Sequence, residues 1–220
     1  LRCYKNRFSS TQEIGVFEMK KSGLIPIDNP HQLFVDELTL SKPGTVISAV
    51  MEGSRALLVE IQALVVRSGY GMAKRTFLGV DPNRANLMLS TMEKNLGISL
   101  TQKDVILNIV GGFKVKEPTL DLGLVMAIVS SDQDCLIPRH LGIIGEVGIT
   151  GELRVIPDAD RRVVEFEKMG FKFCVLPAAN RHLGESRGNM KLLYAANIRE
   201  AIPFVFGKQF EFTKKENERD

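Results

Sequence analysis

Cysteine is scarce in this 220-residue chain, and its three copies are odd in number. Cys3, Cys135 and Cys174 stand far apart, with no CxxC pair and no histidine at metal-ligand spacing, which argues against a zinc site and for a reducing compartment. Cys174 lies in the apolar run "FKFCVLP", where a buried, inert thiol is expected. Histidine is equally rare: His31, His140 and His182 fall in connections, and no Ser-His-Asp spacing arises among them. An excess of one charge is lacking too. The 29 Lys and Arg against 26 Asp and Glu leave a net +3, too slight to argue for a nucleic-acid partner, so any such claim must rest on local clustering. No apolar run approaches the roughly 20 residues needed to span a bilayer and no secretory leader is visible, so a soluble domain with no membrane partner is expected. "GEVGITGE" has glycines but lacks the Gly-Lys-Ser/Thr of a phosphate loop and precedes a strand, so no recognised ATP-binding motif is present.

What the chain does have is apolar residues in ordered patterns, at 44% of the total, enough for one substantial core. "STQEIGVFEM" and "GLIPI" read as strand pieces with Gly23 as a turn between them, and "DNPHQLFVDEL" as a Pro-containing connection. "RALLVEIQALVV" is nearly continuous in Leu and Val, the pattern of a central strand buried on both faces. "VDPNRANLMLSTMEKNLG" predicts a helix capped by Asp81, with Pro82 in its first turn and Gly97 at its end. Ala85, Met88, Leu89, Met92 and Leu96 form its apolar stripe.

The alternation continues with "DVILNIV" as a strand and "TLDLGLVMAIVSS" as a helix behind Pro118, N-capped by Thr119. "LGIIGEVGITGELRVI" predicts a β hairpin punctuated by Gly148 and Gly151, "DADRRVVEFEKMG" a helix, "FKFCVLP" a strand, and "NIREAIPFVF" a last helix capped by Asn197. Strands alternating with helices indicate an α/β domain, and the closing "KKENERD" reads as a solvated tail. At the front, Lys5-Asn6-Arg7-Phe8 precedes any segment able to fold, and Leu1 is not an initiator methionine, so a processed product or a fragment is expected.

Six separated segments, "EIGVFEM", "EGSRALLVEIQALV", "GVDPNRANLMLSTMEK", "DVILNIVGGFKVKEPTLDLGLVMAIVSS", "GEVGITGELRVI" and "GFKFCVLPAAN", follow one another in an order that resembles the RadA/Sms family of DNA repair proteins, from Lys5 to about Phe206. The match is to the family's C-terminal Lon-protease-like domain. That resemblance implies an α/β domain with an α+β-like mixed sheet, of the ribosomal protein S5 domain 2-like kind. It divides the chain into a linker over 1–11, the Lon-like domain over 12–207 and a charged tail over 208–220. In the family a zinc finger and a RecA-type ATPase precede this domain, joined through Lys-Asn-Arg-Phe-Gly, so Lys5, Asn6, Arg7 and Phe8 look like the ATPase-coupling segment. Ser9 stands where the family has glycine. The resemblance implies no cofactor in this chain, with ATP, Mg and zinc expected in the upstream domains.

A Lon peptidase needs a serine nucleophile and a lysine base together, because a serine hydroxyl attacks poorly unless its proton is removed. Aligned through its glycine, "EPTLDLGLVMAIVSS" puts Asp121 at the serine position, and counting back from "GFKFCVLP" puts Asp160 at the lysine position. Arg161 and Arg162 beside it stay protonated and cannot serve as base. Both members of the dyad are therefore degenerate, and Ser130 and Ser131 lie at the far end of the expected helix.

Two tasks remain, assembling subunits and holding DNA. Basic residues cluster at "RSGYGMAKR" (Arg67, Lys74, Arg75), at Arg84 and at "GFKVKE" (Lys114, Lys116). The glycine-rich loop can offer amides to phosphate, and Tyr70 a stacking ring. Lys74, Arg75, Arg84 and Lys114 are the candidate DNA contacts. The resemblance implies single-stranded and branched DNA as partners, a homo-hexameric ring, a RecA-type recombinase as a further partner, and a role in homologous recombination and branch migration. An active Lon-fold serine peptidase and a purely structural oligomerisation module are the alternatives. The compartment expected is the cytoplasm for a bacterial protein, and the mitochondrion or chloroplast for a nuclear-encoded copy.

Overall fold

The computed structural model describes residues 17–20, 23–26, 42–69, 72–112 and 114–207. The Lys5–Phe8 segment, Tyr70, the connection after "GLIPI" and the charged tail lie outside them. Strands β1 (Phe17–Lys20) and β2 (Gly23–Pro26) pair antiparallel as a two-stranded sheet of their own. Gly23 is the first residue of β2, opposite Lys20 and at φ +110°, rather than the turn between the strands.

From there the chain runs through β3 (Thr45–Glu52), β4 (Arg55–Arg67), β5 (Arg75–Leu78), α1 (Pro82–Leu96), β6 (Lys103–Ile109) and α2 (Asp121–Gln133). It continues through β7 (Leu141–Ile143), the short pair β8 (Glu146–Val147) and β9 (Leu153–Arg154), and α3 (Ala159–Lys168). It closes with β10 (Phe173–Pro177), β11 (Ser186–Arg187), β12 (Met190–Ala195) and α4 (Ile198–Phe206). Eight strands form one sheet in the order β11-β12-β10-β7-β3-β4-β6-β5. The sheet is mixed: β12/β10, β10/β7, β7/β3 and β6/β5 are parallel, and β11/β12, β3/β4 and β4/β6 antiparallel. The α/β class is as expected.

Helix α1 forms for the reasons its sequence advertises. The Asp81 carboxylate accepts the Arg84 N–H at 2.9 Å, Pro82 needs no donor in the first turn, and Gly97 closes the helix at φ +72°. The whole expected stripe from Ala85 to Leu96 is buried. Asn197 caps α4 through the Glu200 N–H at 3.0 Å. β4 lies inside the sheet as expected and is buried as far as Ile61, but Leu64 and Val66 near its end are about half exposed, so both faces are covered over its first half only.

Three expectations need correcting. Leu141–Ile143 joins the large sheet as β7 instead of the hairpin, which β8 and β9 make alone around Gly148 and Gly151. Thr119 does not cap α2: a 3-10 turn over Pro118–Leu120 leads into the helix, and the buried Thr119 hydroxyl accepts a bond from Arg162 instead. Strands β3, β5, β11 and β12 were not expected.

Alternation of side chains splits the core in two. Val46, Val59, Ile61, Leu107 and Val175 face α1, α2 and α4, while Ile47, Leu58, Cys174, Leu176 and Leu192 face α3. From Asp121 to Ser130, α2 is buried on every side, between the sheet and the neighbouring helices.

Candidate functional site

The capped first turn of α1 aims Arg84 at the start of α2, where Asp121 is the first helical residue and only 1% exposed. The Asp121 carboxylate accepts the Arg84 Nε–H, at 3.0 and 3.1 Å to its two oxygens, and a further bond from Arg84 Nη2. It also accepts the Val147 N–H from β8 at 3.1 Å. Arg84 Nη2 additionally donates to the Val147 carbonyl at 3.3 Å and lies 3.8 Å from Glu146. Burial pushes the Asp121 carboxyl above its ordinary value, against the opposing pull of Arg84 and the Val147 N–H. The same hydrogen-bonded pairing raises the Arg84 guanidinium. The pair lines a shallow cleft together with Val80, Val115, Lys116 and Glu117.

Asp121, which the resemblance aligns with the serine of a Lon peptidase, is thus a carboxylate held by the Arg84 guanidinium and the Val147 N–H. It offers no hydroxyl to attack a carbonyl. Asp160, which the resemblance aligns with the lysine, sits exposed in the first turn of α3, and no hydrogen bond or ion pair joins it to Asp121. Ser130 and Ser131 hold backbone together: Ser130 accepts the Gly44 N–H at 2.8 Å and donates to the Cys135 carbonyl at 2.5 Å, and Ser131 accepts the Val65 N–H at 2.9 Å.

Arg162 was read in the sequence only as a protonated neighbour of Asp160 that cannot serve as base. It is fully buried and binds Glu117 through both terminal nitrogens, the Ala49 carbonyl at 2.6 Å, the Thr119 hydroxyl at 3.2 Å and the Pro157 carbonyl at 3.3 Å. Glu117 in turn accepts the Met51 N–H at 3.0 Å. One ion pair therefore ties α3, β3 and the turn before α2 together. Nothing in the spacing of "DRRVVEF" distinguishes Arg162 from the exposed Arg161 except the period of the buried stripe Ala159, Val163, Phe166.

The four candidate DNA contacts do not converge. Lys74 is exposed, while its N–H and the Ser68 hydroxyl hold the Asp104 carboxyl below its usual range. Arg75 turns its guanidinium onto the Leu100 carbonyl at 2.8 Å and onto that of Lys103. Arg84 is engaged by Asp121 as described. Lys114 is exposed beside Val115, which bridges Val80, so it stands at the opposite end of β5 from Lys74, roughly 20 Å away at about 3.3 Å per residue.

Among the described residues no group of His, Cys, Asp and Glu could hold a metal ion, and no helix is long and apolar enough to cross a membrane. Burial raises the Cys174 thiol far above its ordinary value.

No family model matches the chain. Among curated proteins, "DNA repair protein RadA" of Bacillus subtilis is 41% identical over 207 residues, which make up 94% of this chain and 45% of that protein. The protein of the same name from Streptococcus pneumoniae is 42% identical over 206 residues, 94% of this chain and 49% of that one. The one from Synechocystis is 40% identical over 202 residues, 92% and 40%. The chain spans about half the length of the curated relatives it matches, or somewhat less.

Proposed function

Since this chain belongs to the RadA family of DNA repair proteins, we propose that it is the hexamer-forming, DNA-contacting and proteolytically silent Lon-protease-like domain of a longer repair ATPase. The observation that carries the reading is Asp121. The residue that the resemblance aligns with the peptidase's serine is a buried carboxylate held by Arg84 and the Val147 N–H. A site rebuilt as an internal ion pair supports a scaffold better than an acyl-transfer centre. The mixed sheet with helices on both faces is compatible with the Lon-like architecture. In the longer protein, ATP hydrolysis upstream would act on recombination intermediates by branch migration, with Lys5 to Phe8 coupling the ATPase to this domain. ATP, Mg and zinc would be held there, and a RecA-type recombinase would be the protein partner.

A second reading, a purely structural oligomerisation module, is favoured by one feature: two of the four cations expected to touch DNA, Arg75 and Arg84, are turned onto internal acceptors. Labelled single-stranded DNA, titrated at 50 to 200 mM salt (a range chosen for its steep counterion effect), separates the two. Binding that weakens steeply with salt is expected, and no binding at the low end leaves the structural module. Serine-dependent turnover of casein, with labelling by a fluorophosphonate, would overturn the peptidase-dead assignment.

A further inference from the structure

At the end of the sheet opposite to β5, the first residues of β10 and β12 lie side by side without cover. Phe173 and Lys191 are partners in the parallel ladder, so their side chains project from the same face about 4.8 Å apart along the hydrogen-bonding direction. Phe173 is 42% exposed, although its other neighbour in the row, Leu141, is buried. Lys172, which precedes the ring, and His140 are exposed as well. Backbone bonds fix the group: the Lys172 and Phe173 N–H groups both donate to the His140 carbonyl, at 2.9 and 3.1 Å, and the Lys191 N–H donates to the Lys172 carbonyl at 2.9 Å. Neither Lys172 nor Lys191 enters an ion pair with another described residue, while the carboxylate of Glu167 on α3 is taken up by Arg187 at 3.3 Å. An exposed aromatic ring on a rigid strand end, with the cation of Lys191 beside it in the row and Lys172 next to it in the chain, has the composition of a platform on which a base stacks while its phosphates are neutralised.

We propose that this end of the sheet, built from His140, Lys172, Phe173 and Lys191, is a contact for single-stranded nucleic acid, with Phe173 the stacking residue. It is separate from the cations near β5. β10 and β5 stand five strand spacings apart, roughly 24 Å at about 4.8 Å each, so a strand reaching both would cross the width of the sheet. The assignment deepens the DNA-contact reading by naming a surface and a strandedness. It does not depend on Lys74 or Lys114.

Fluorescence anisotropy of a labelled oligo-dT with the 220-residue chain tests it. Phe173→Ala should weaken binding roughly 5- to 150-fold, the range for loss of one stacked base. Phe173→Tyr should retain it, and Phe173→Leu, which keeps an apolar side chain beside Leu141 in the row, should behave like Phe173→Ala. Lys172→Ala with Lys191→Ala should reduce the slope of log affinity against log salt by about 1.4, at about 0.7 per phosphate released. Affinity and slope left unchanged in all of these variants, with loss on Lys74→Ala and Lys114→Ala instead, would overturn this surface and leave the DNA-contact reading standing. A parent chain that fails to bind oligo-dT at low salt would overturn both. Equal binding of an acidic peptide that loses affinity in the same variants would reassign the surface to a protein partner. Circular dichroism of each variant is expected to match the parent, because Phe173 is already half in solvent.

Discussion

Arg84→Met is the sharpest perturbation of the candidate site. It preserves most of the aliphatic length of residue 84 and removes three of the four N–H contacts on Asp121, leaving the Val147 N–H at 3.1 Å. Stranding one member of a buried ion pair costs about 3–5 kcal/mol. Arg84 is 29% exposed, so water can follow into the cleft, and a loss of about 2–4 kcal/mol is expected at pH 8. The pH dependence fixes the cause. Burial already holds the Asp121 carboxyl above its ordinary value, and removing Arg84 takes away the largest opposing influence, so the value rises further. A carboxyl raised in the folded state contributes stability that is present below its unfolded value and lost as pH climbs through the folded one. The penalty of Arg84→Met should therefore shrink on acidification from pH 8 toward pH 5. Adding Asp121→Leu should recover most of the loss at pH 8, since an apolar pair in place of an ionic one is often neutral. Urea unfolding followed by far-UV circular dichroism at both pH values reads all of this. A single variant within about 0.5 kcal/mol of the parent at pH 8, or a penalty that grows as pH falls, would refute the reasoning.

Two further outcomes are expected. Asp121→Ser alone should give neither casein cleavage nor fluorophosphonate labelling, because Asp160 is exposed on α3 and unlinked to the site while Arg84 stays protonated; labelling of the introduced hydroxyl would show that a base is within reach. Gly44→Ala should lower stability by about 2–3 kcal/mol and Tm by roughly 5–10 °C, since the residue sits at φ +87° and the added methyl would lie 2.2 Å from the Ala63 carbonyl oxygen. Thermal denaturation unchanged to within about 2 °C would mean that β3 and β4 can shift apart there without cost.

Much of the α/β framework was legible because its signals are local. Asp81, Pro82 and Gly97 mark α1 within one stretch of chain, and Asn197 marks α4 in the same way. Strand β3 was missed because it is buried on both faces, so "TVISAVME" shows no alternation, and its Ser48 and Glu52 dilute the apolar run. Strand β12, "MKLLYA", is short and follows a glycine-rich stretch that reads as loop. The dyad positions were assigned by resemblance alone, and the pairing that holds Asp121 was not legible. Arg84 stands 37 positions away and reads as a surface cation until the fold turns it inward. Thr119 shows the same limit from the other side. Its capping signal is local and sound, but the buried Arg162, arriving from α3, needed the hydroxyl as an acceptor.

The enclosure of α2 bears on how the chain is made. Its cover comes from β3, β4 and α1, which precede it, and from β8 and α4, which follow it, with α4 the last regular element among the described residues. A helix apolar on all sides that leaves the ribosome before α4 exists has no partner for one flank, so it cannot settle until α4 has followed it. Completion of this core consequently waits on α4. A nascent chain stalled before Ile198 would leave the α4-facing flank of the Asp121–Ser130 helix open to chaperones and proteases.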